Sequence, residues 1–240
     1  MLDTTQPVRR PDGTLNVTIG NDATLLPEGI YWVRKGQPMP VAKFLFDKVF
    51  AAVCLILLAP VMLAVVIAIR ASGNGPVLFA HERVGQGGRT FKCLKFRTMR
   101  PNSQPDLDAW LQIDPIVRDE WETQRKLERD PRVDRVGYFL RATSLDELPQ
   151  FWNVLRGDMS IVGPRPVTRA EVERYGAHFA DYSSVRPGIT GIWQVSGRSD
   201  TTYERRVALD VSYVRSWSMW QDLRIVARTV GVVLVGRGAV

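Results

Sequence analysis

Residues 49–69 read VFAAVCLILLAPVMLAVVIAI, 21 positions without one charged side chain. As a single helix this stretch would be about 32 Å long, enough for a hydrocarbon core of about 30 Å. A helix of that length with no polar face has nothing to present to water, so it is expected to meet lipid. Two features complicate a plain span. Pro60 stands in the middle, removing one helical hydrogen bond and crowding the turn before it. Basic residues lie on both sides: Lys35, Lys43 and Lys48 before, Arg70, Arg83 and Arg89 after. The positive-inside rule then asks for both ends in the cytoplasm. A helix broken near Pro60, each half reaching about 15 Å, would enter one leaflet and return. A single span kinked at Pro60 fits the same residues.

Beyond this run the composition is that of a globular protein. The 240 residues fit one domain with appendages, and 45% apolar with 24% charged residues excludes a disordered chain. A mean hydropathy of −0.10 excludes a multi-span membrane protein. Two cysteines, Cys54 and Cys93, exclude a disulfide scaffold and a four-cysteine zinc site. Two histidines, His81 and His178, exclude a histidine-rich metal site, and both read as structural. A net charge of +7 and a pI near 9.7 ask for an anionic partner: nucleic acid, anionic lipid or a phosphorylated substrate.

Residues 1–38 are polar and turn-rich and read as a mobile arm or loose strap, with no secretory signal. Residues 39–72 form the membrane element. After the turn cluster SGNGP at 72–76, residues 77–83 and 90–99 read as strands of a hairpin around GQGG at 85–88. Residues 105–129 read as helix broken at Pro115 and Pro131, with further helices over 145–156, 169–180, 203–216 and 219–235. The expected fold is α+β, helix-dominated, with one compact domain over residues 73–240.

The stretch RATSLDELPQFWNVLRGDMSIVGPRP at 141–166 is the densest in chemistry-bearing residues. SLDE at 144–147 is a capping box by pattern; alternatively Asp146 is itself the N-cap, which puts Pro149 at a tolerated position. The same acids have a functional reading. A carboxylate at a helix start is placed to accept a phosphoryl group, and an adjacent acid can help hold a divalent cation or handle a proton. Arg165 in GPRP, Arg186 in RPG and Arg198 at the end of WQVSGR stand on rigid turns, where planar guanidinium forks suit phosphate oxygens. Surface loops also carry arginine without such a role. GQGGR lacks a nucleotide-binding signature and reads as a plain turn. Lys95 and Arg97 alternate with apolar residues along one strand and share a face. Trp217, Trp220 and Tyr213 read either as an interfacial anchor or as helix packing.

Taken in order, these blocks resemble the small monotopic polyprenyl-phosphate sugar-1-phosphate transferases, the bacterial sugar transferases. The matching blocks are Phe46-Asp47, Pro60, SG and GP at 72–76, RVG at 83–85 with Phe91, KFRTM at 95–99, SLDELPQ at 144–150, NVLRGDMS at 153–160, VGPRP at 162–166 and RPGITG at 186–191. They cover about residues 43–235. The resemblance implies transfer of a sugar-1-phosphate from a UDP-sugar to undecaprenyl phosphate, with release of UMP, at the cytoplasmic face of the bacterial inner membrane. This step initiates polysaccharide or glycoconjugate assembly. It implies Asp146 as nucleophile of a covalent phospho-sugar intermediate and as ligand of Mg²⁺ (or Mn²⁺). Glu147 would assist proton handling or geometry, and Arg141, Arg165 and Arg186 would hold phosphates or support the site. Lys95 and Arg198 join the expected phosphate-binding set. The resemblance also favours the re-entrant helix, bedded in membrane phospholipid. Relatives commonly have Ser before the helix-breaking Pro, where this chain has Ala59, so the break is expected to be shallower.

Two other readings use the same residues. A membrane-tethered module binding nucleic acid or anionic lipid would explain the charge, but no helix-turn-helix or zinc-finger pattern is present and no nucleic-acid partner is expected. A metal-dependent phosphohydrolase would send the phosphoryl group to water instead of lipid. The sugar is not legible, and a homodimer is compatible with the resemblance.

Overall fold

The computed structural model describes residues 8–9, 15–16, 40–124, 127, 129–197 and 201–235. The α-helices are α1 (Val41–Leu57), α2 (Ala59–Ser72), α3 (Gln104–Ile113), α4 (Pro115–Gln124), α5 (Arg135–Ala142), α6 (Gln150–Arg156), α7 (Arg169–Tyr175), α8 (Phe179–Ser184), α9 (Tyr203–Arg215) and α10 (Met219–Val235). The strands are β1 (Val8–Arg9), β2 (Leu15–Asn16), β3 (Leu78–Val84), β4 (Thr90–Phe96), β5 (Ser160–Val162) and β6 (Gly188–Thr190). The fold is α+β and helix-dominated, with its strands in two-stranded sheets. Within the expected arm, β1 and β2 pair antiparallel; the rest of residues 1–39 lies outside the described residues.

The apolar run forms two helices, not one. The axes of α1 and α2 differ by 60°. The break falls at Leu58, two residues before the expected Pro60. Pro60 instead occupies the first turn of α2, where a missing N–H is tolerated, while its ring excludes a continuous turn behind it. The bend forms with Ala59 in place. Among the described residues no single helix is long and apolar enough to cross a membrane, but the bent pair passes that test together. Leu45, Val49, Ile56, Leu57, Leu63 and Ile67 are exposed along it, an apolar face larger than soluble proteins usually leave in water.

The inner sides of both helices belong to the core. Ala51 of α1 packs with Val154, Met159, Val162, Tyr213 and Ile225, drawn from α6, β5, α9, α10 and the turn before β5. Val65 and Ile69 of α2 pack with Phe96 of β4 and Leu140 of α5, joined by Leu145 and Leu148. A third cluster joins α7, α8 and α9 to the end of β3 through Val84, Tyr175, Phe179, Tyr182 and Val211.

The hairpin forms as expected, Leu78 opposite Phe96 and Val84 opposite Thr90. The helix breaks at Pro115 and the helices over 203–215 and 219–235 also agree with the sequence. Two helix readings are corrected. Residues 145–156 are not one helix: a 3₁₀ turn, Leu145–Glu147, precedes α6. Residues 169–180 break at Gly176, whose φ of 51° sits in the left-handed region. Helix α5 and the parallel pair β5–β6 were not anticipated; α5 is capped by Asp134, which accepts from the Gly137 N–H at 2.7 Å. Beside β5–β6 the backbones approach closely. A Cβ on Gly188 would lie 2.1 Å from the Gly163 nitrogen, so only glycines let the Arg165 and Arg186 loops cross here.

A buried ionic network seams α1 to the rest. Lys43 Nζ lies 3.1 Å from Asp47 Oδ1 and 2.8 Å from Asp222 Oδ2, all three side chains fully buried. Asp47 also accepts from Ser160 Oγ and the Ile161 N–H, each at 3.1 Å, and from Arg186 Nη2 at 3.2 Å. Asp222 accepts from Tyr213 Oη at 2.7 Å and Trp217 Nε1 at 3.1 Å. Lys43 is therefore a structural charge and not a free flanking charge at the membrane. Lys48 likewise donates to the Leu155 carbonyl at the end of α6. Tyr213 and Trp217 are packing residues, while Trp220 is exposed.

Candidate active site

Arg141 ends α5, and the chain then reverses through Ser144 in the left-handed region at φ 57°. Leu145 and Leu148 bury against α2, β4 and α5, so the turn between them is fixed by core packing. That turn carries Asp146 and Glu147. Neither capping arrangement is formed: Ser144 makes no cap bond, and α6 begins at Gln150 behind Pro149. The two carboxylates are thus left for other partners.

Lys95 supplies one. On β4 its Nζ sits 3.3 Å from Asp146 Oδ2 and 2.7 Å from Glu147 Oε1, bridging both acids. Arg165 Nη1 stands 4.0 Å from Glu147 Oε1. Arg141 donates from Nε to Thr98 Oγ1 at 3.0 Å, and its charge reaches Asp146. The hairpin is pinned from both sides. Asn153 of α6 accepts the Leu94 N–H at 2.9 Å and donates to the Lys92 carbonyl at 2.8 Å. Arg97 turns away from Lys95 and bonds the Ile69, Gly73 and Asn74 carbonyls, closing the C-terminal end of α2.

Burial pushes the Asp146 carboxyl above its ordinary range, the adjacent Glu147 adding to this and Lys95 and Arg141 opposing it. Burial acts the same way on Glu147. There the charges of Lys95 and Arg165, with hydrogen bonds from Lys95 and Gln150, outweigh it and hold the carboxyl below the usual range. The pair is therefore split, one acid held ionised and its neighbour harder to ionise.

The remaining expected residues fall elsewhere. Arg186 is buried in the seam on Asp47, its guanidinium 5.0 Å from the Phe44 ring; it joins the β6 loop to α1. Arg198 lies outside the described residues. GQGG is a hairpin turn whose Gln86 side chain holds the Ser184 carbonyl. Among the described residues no group of three or more His, Cys, Asp and Glu converges for a metal, so Asp146 and Glu147 offer two carboxylates. Sequence reading missed Thr98, Asn153, Trp193 and Asp210 around the site. Thr98 and Asn153 stand inside motif blocks and Trp193 opens the WQVSGR stretch, whereas Asp210 carried no signal.

Comparison with known proteins gives the family. The family model described as "Bacterial sugar transferase" matches residues 39–236. The UDP-galactose-lipid carrier transferase of Erwinia amylovora is 51% identical over 194 residues, 81% of this chain and 40% of that protein. The undecaprenyl-phosphate galactose phosphotransferase of Salmonella typhimurium is 48% identical over 194 residues, again 81% of this chain and 40% of the relative. The exopolysaccharide production protein ExoY of Rhizobium meliloti is 46% identical over 199 residues, 83% of this chain and 88% of the relative. The chain thus spans about two fifths of the length of some relatives and nearly all of another. With the match running from the first turn of α1 through the whole of α10, this chain belongs to the bacterial sugar transferase family.

Proposed function

We propose that this chain transfers a sugar-1-phosphate from a UDP-sugar to undecaprenyl phosphate at the cytoplasmic face of the bacterial inner membrane, releasing UMP. One observation carries the reading. A buried carboxylate, freed from any capping duty and bridged by Lys95, sits on a turn whose flanking leucines pack directly on α2. The reacting group is thereby held at a fixed relation to the apolar element that would meet the lipid acceptor. The bent pair α1–α2 would dip into one leaflet and return, which keeps both ends on the side of the soluble donor.

The chemistry divides into two displacements at one phosphorus. An Asp146 Oδ attacks the phosphorus bearing the sugar; the Asp146 O–P bond forms, the bridging P–O bond breaks, and UMP leaves with that oxygen. A phosphate oxygen of the acceptor then attacks the same phosphorus and Asp146 leaves. Each substrate can use the small site in turn. Glu147, held ionised, anchors Lys95 against Asp146 and is placed to take a proton from the acceptor phosphate. Arg165 and Arg141 lie where they would meet the charge of the diphosphate. Arg186, tied to Asp47, supports the site through the β6 loop.

Mg²⁺ or Mn²⁺ fits these residues: the donors are the hard oxygens of two carboxylates, at a position that already attracts the Lys95 cation. Asp146 and Glu147 would hold the ion with the substrate phosphates, and when bound it neutralises diphosphate charge.

The test is UMP release from UDP-sugars in membranes containing undecaprenyl phosphate. Release is expected for the native chain, suppression by EDTA, and a lipid-linked sugar phosphate as the second product. Free sugar-1-phosphate in its place would show a phosphohydrolase.

A further inference from the structure

Arg165 is held at both its ends. Its loop is fixed by Val167, whose N–H donates to Tyr182 Oη at 3.2 Å and which bridges to Val84. Its guanidinium lies 5.9 Å from the ring of Trp193, and Arg206 lies 4.8 Å from the same ring. Trp193 is buried, and beneath it lies Asp210 of α9, whose ionised form is favoured by the Trp193 side chain; an indole can only donate, so its N–H is the group that faces the carboxylate. Asp210 is 2% exposed and also accepts from Tyr175 Oη at 2.8 Å. A buried carboxylate inside a shell of aromatic rings is costly, and the transfer chemistry does not use it.

We propose that Asp210 is a positioning residue for donor binding: it fixes Trp193 through the indole N–H, and Trp193 seats the Arg165 guanidinium beside Glu147. The proposal rests on the reading of Arg165 as a ligand of donor phosphate. The chain of contacts runs Asp210, Trp193, Arg165, Glu147: the indole facing the carboxylate, then a cation–π contact at 5.9 Å, then an ion pair at 4.0 Å. Free rotation of the Trp193 ring would leave Arg165 on an exposed turn with several orientations to lose on binding.

The contact also makes donor binding depend on pH. Burial pushes the Asp210 carboxyl up to about 7, against Tyr175, Arg165 and Trp193, which favour its ionised form. The titratable and charged groups around it are Tyr175 from α7, Tyr182 from α8, Tyr203 and Arg206 on its own helix and Arg165 from the loop. The three phenols are all pushed above their ordinary range and stay neutral near pH 7, so Asp210 is the group of this set that changes charge there. Above that pH the carboxylate accepts from both donors and attracts Arg165. Below it, protonation removes the attraction and turns one acceptor oxygen into a donor. KM for the UDP-sugar is expected to rise as pH falls through about 7.

The experiment uses the full chain in lipid nanodiscs and reads two signals. The first is the emission difference between the native chain and Trp193→Phe, titrated with pH. A midpoint near 7 is expected, absent in Asp210→Asn. The second is UMP release. Asp210→Asn is expected to raise KM for the UDP-sugar about five- to tenfold with kcat changed less than about twofold. Trp193→Phe keeps an aromatic face, though a smaller one, and deletes the donor, so it should show the same split even where Asp210→Asn folds poorly. In an Arg165→Ala background, Asp210→Asn should add less than about twofold, because both changes act on one contact. Penalties that multiply, or a Trp193 signal that does not titrate, would overturn the proposal. A native chain that releases no UMP while Trp193 titrates as described would fail the proposed function and leave the Asp210–Trp193 coupling standing.

Discussion

Two ionic clusters in this chain are built from the same residue types and finished differently. In the seam, Lys43, Asp47 and Asp222 have fully buried side chains and are met by Ser160, Ile161, Arg186, Tyr213 and Trp217. In the site, side-chain exposure climbs from 10% at Asp146 through 22% at Glu147 and 26% at Lys95 to 41% at Arg165. The first cluster is closed by protein donors and has no room for a substrate. The second is walled on one side and open on the other, with acceptor oxygens left over. In the seam every carboxylate oxygen has a protein donor, though Arg186 Nη1 has no hydrogen-bond partner among the described residues, and this makes the buried acids structural; partial satisfaction beside solvent makes a charge available for chemistry.

The comparison breaks most visibly at Asp146. Asp146→Asn keeps the shape and removes the nucleophile, so UMP release should fall by about a thousandfold or more while Tm stays within about 2 °C. A nearly active Asp146→Asn would end the nucleophile assignment. The same change in the seam should do the reverse. Asp47→Asn leaves Lys43 and Arg186 short of a buried counter-charge and should cost about 3–5 kcal/mol of stability, read as a large fall in Tm or loss of folded protein. A seam variant with native Tm would show that the network is not what holds α1.

A third change sharpens the site alone. Lys95→Met removes the attraction that opposes the burial of Asp146, so that carboxyl should rise further, and Glu147 should lose the largest of the effects that lower it. A raised acid pKa means less carboxylate at a given pH. The acid limb of kcat/KM should therefore move to higher pH, with a loss of about ten- to a hundredfold that shrinks as pH rises. An acid limb that stays in place would remove Lys95 from control of the nucleophile.

The two clusters also differ in how far they could be read from sequence. Lys95 was marked by alternation on a strand bounded by a glycine turn, and the acid pair stood out in a dense motif; both signals are local. The turn that holds the acids was misread because local rules favour a capping box at 144–147. Leu145 and Leu148 are drawn instead into a core with Val65, Ile69 and Phe96, at least 49 positions away in sequence, and tertiary packing overrides the cap. Arg186, expected as a phosphate ligand on a rigid turn, is committed to Asp47, 139 residues earlier, a pairing with no local signal. Strands β5 and β6 have three residues each, too short for any period to show. Lys43 and Asp47 stand four residues apart, a helical pair spacing, but nothing local marks Asp222 as their third member.

The smallest expected effect concerns that run. Pro60 was the expected cause of the break, but the break lies at Leu58 and Pro60 sits in the first turn of α2, where its missing N–H costs little. Independent contacts hold the two arms at 60°. The seam fixes α1 through Lys43 and Asp47, while Val65, Ile69 and the Arg97 bonds to three carbonyls fix α2. Pro60→Ala restores one N–H and relieves the ring's crowding without touching those contacts. It should change stability by less than about 1 kcal/mol and leave both ends of residues 43–70 labelled from the cytoplasm. Straightening into a span would tear either the seam or the α2 packing, each worth more than one backbone hydrogen bond. Periplasmic labelling of one end in Pro60→Ala would show the opposite, that the ring alone bends the pair and the seam merely follows. Repeating the labelling in Asp47→Asn separates the two: if the seam sets the geometry, that variant and not Pro60→Ala is the one in which an end becomes labelled from the periplasm.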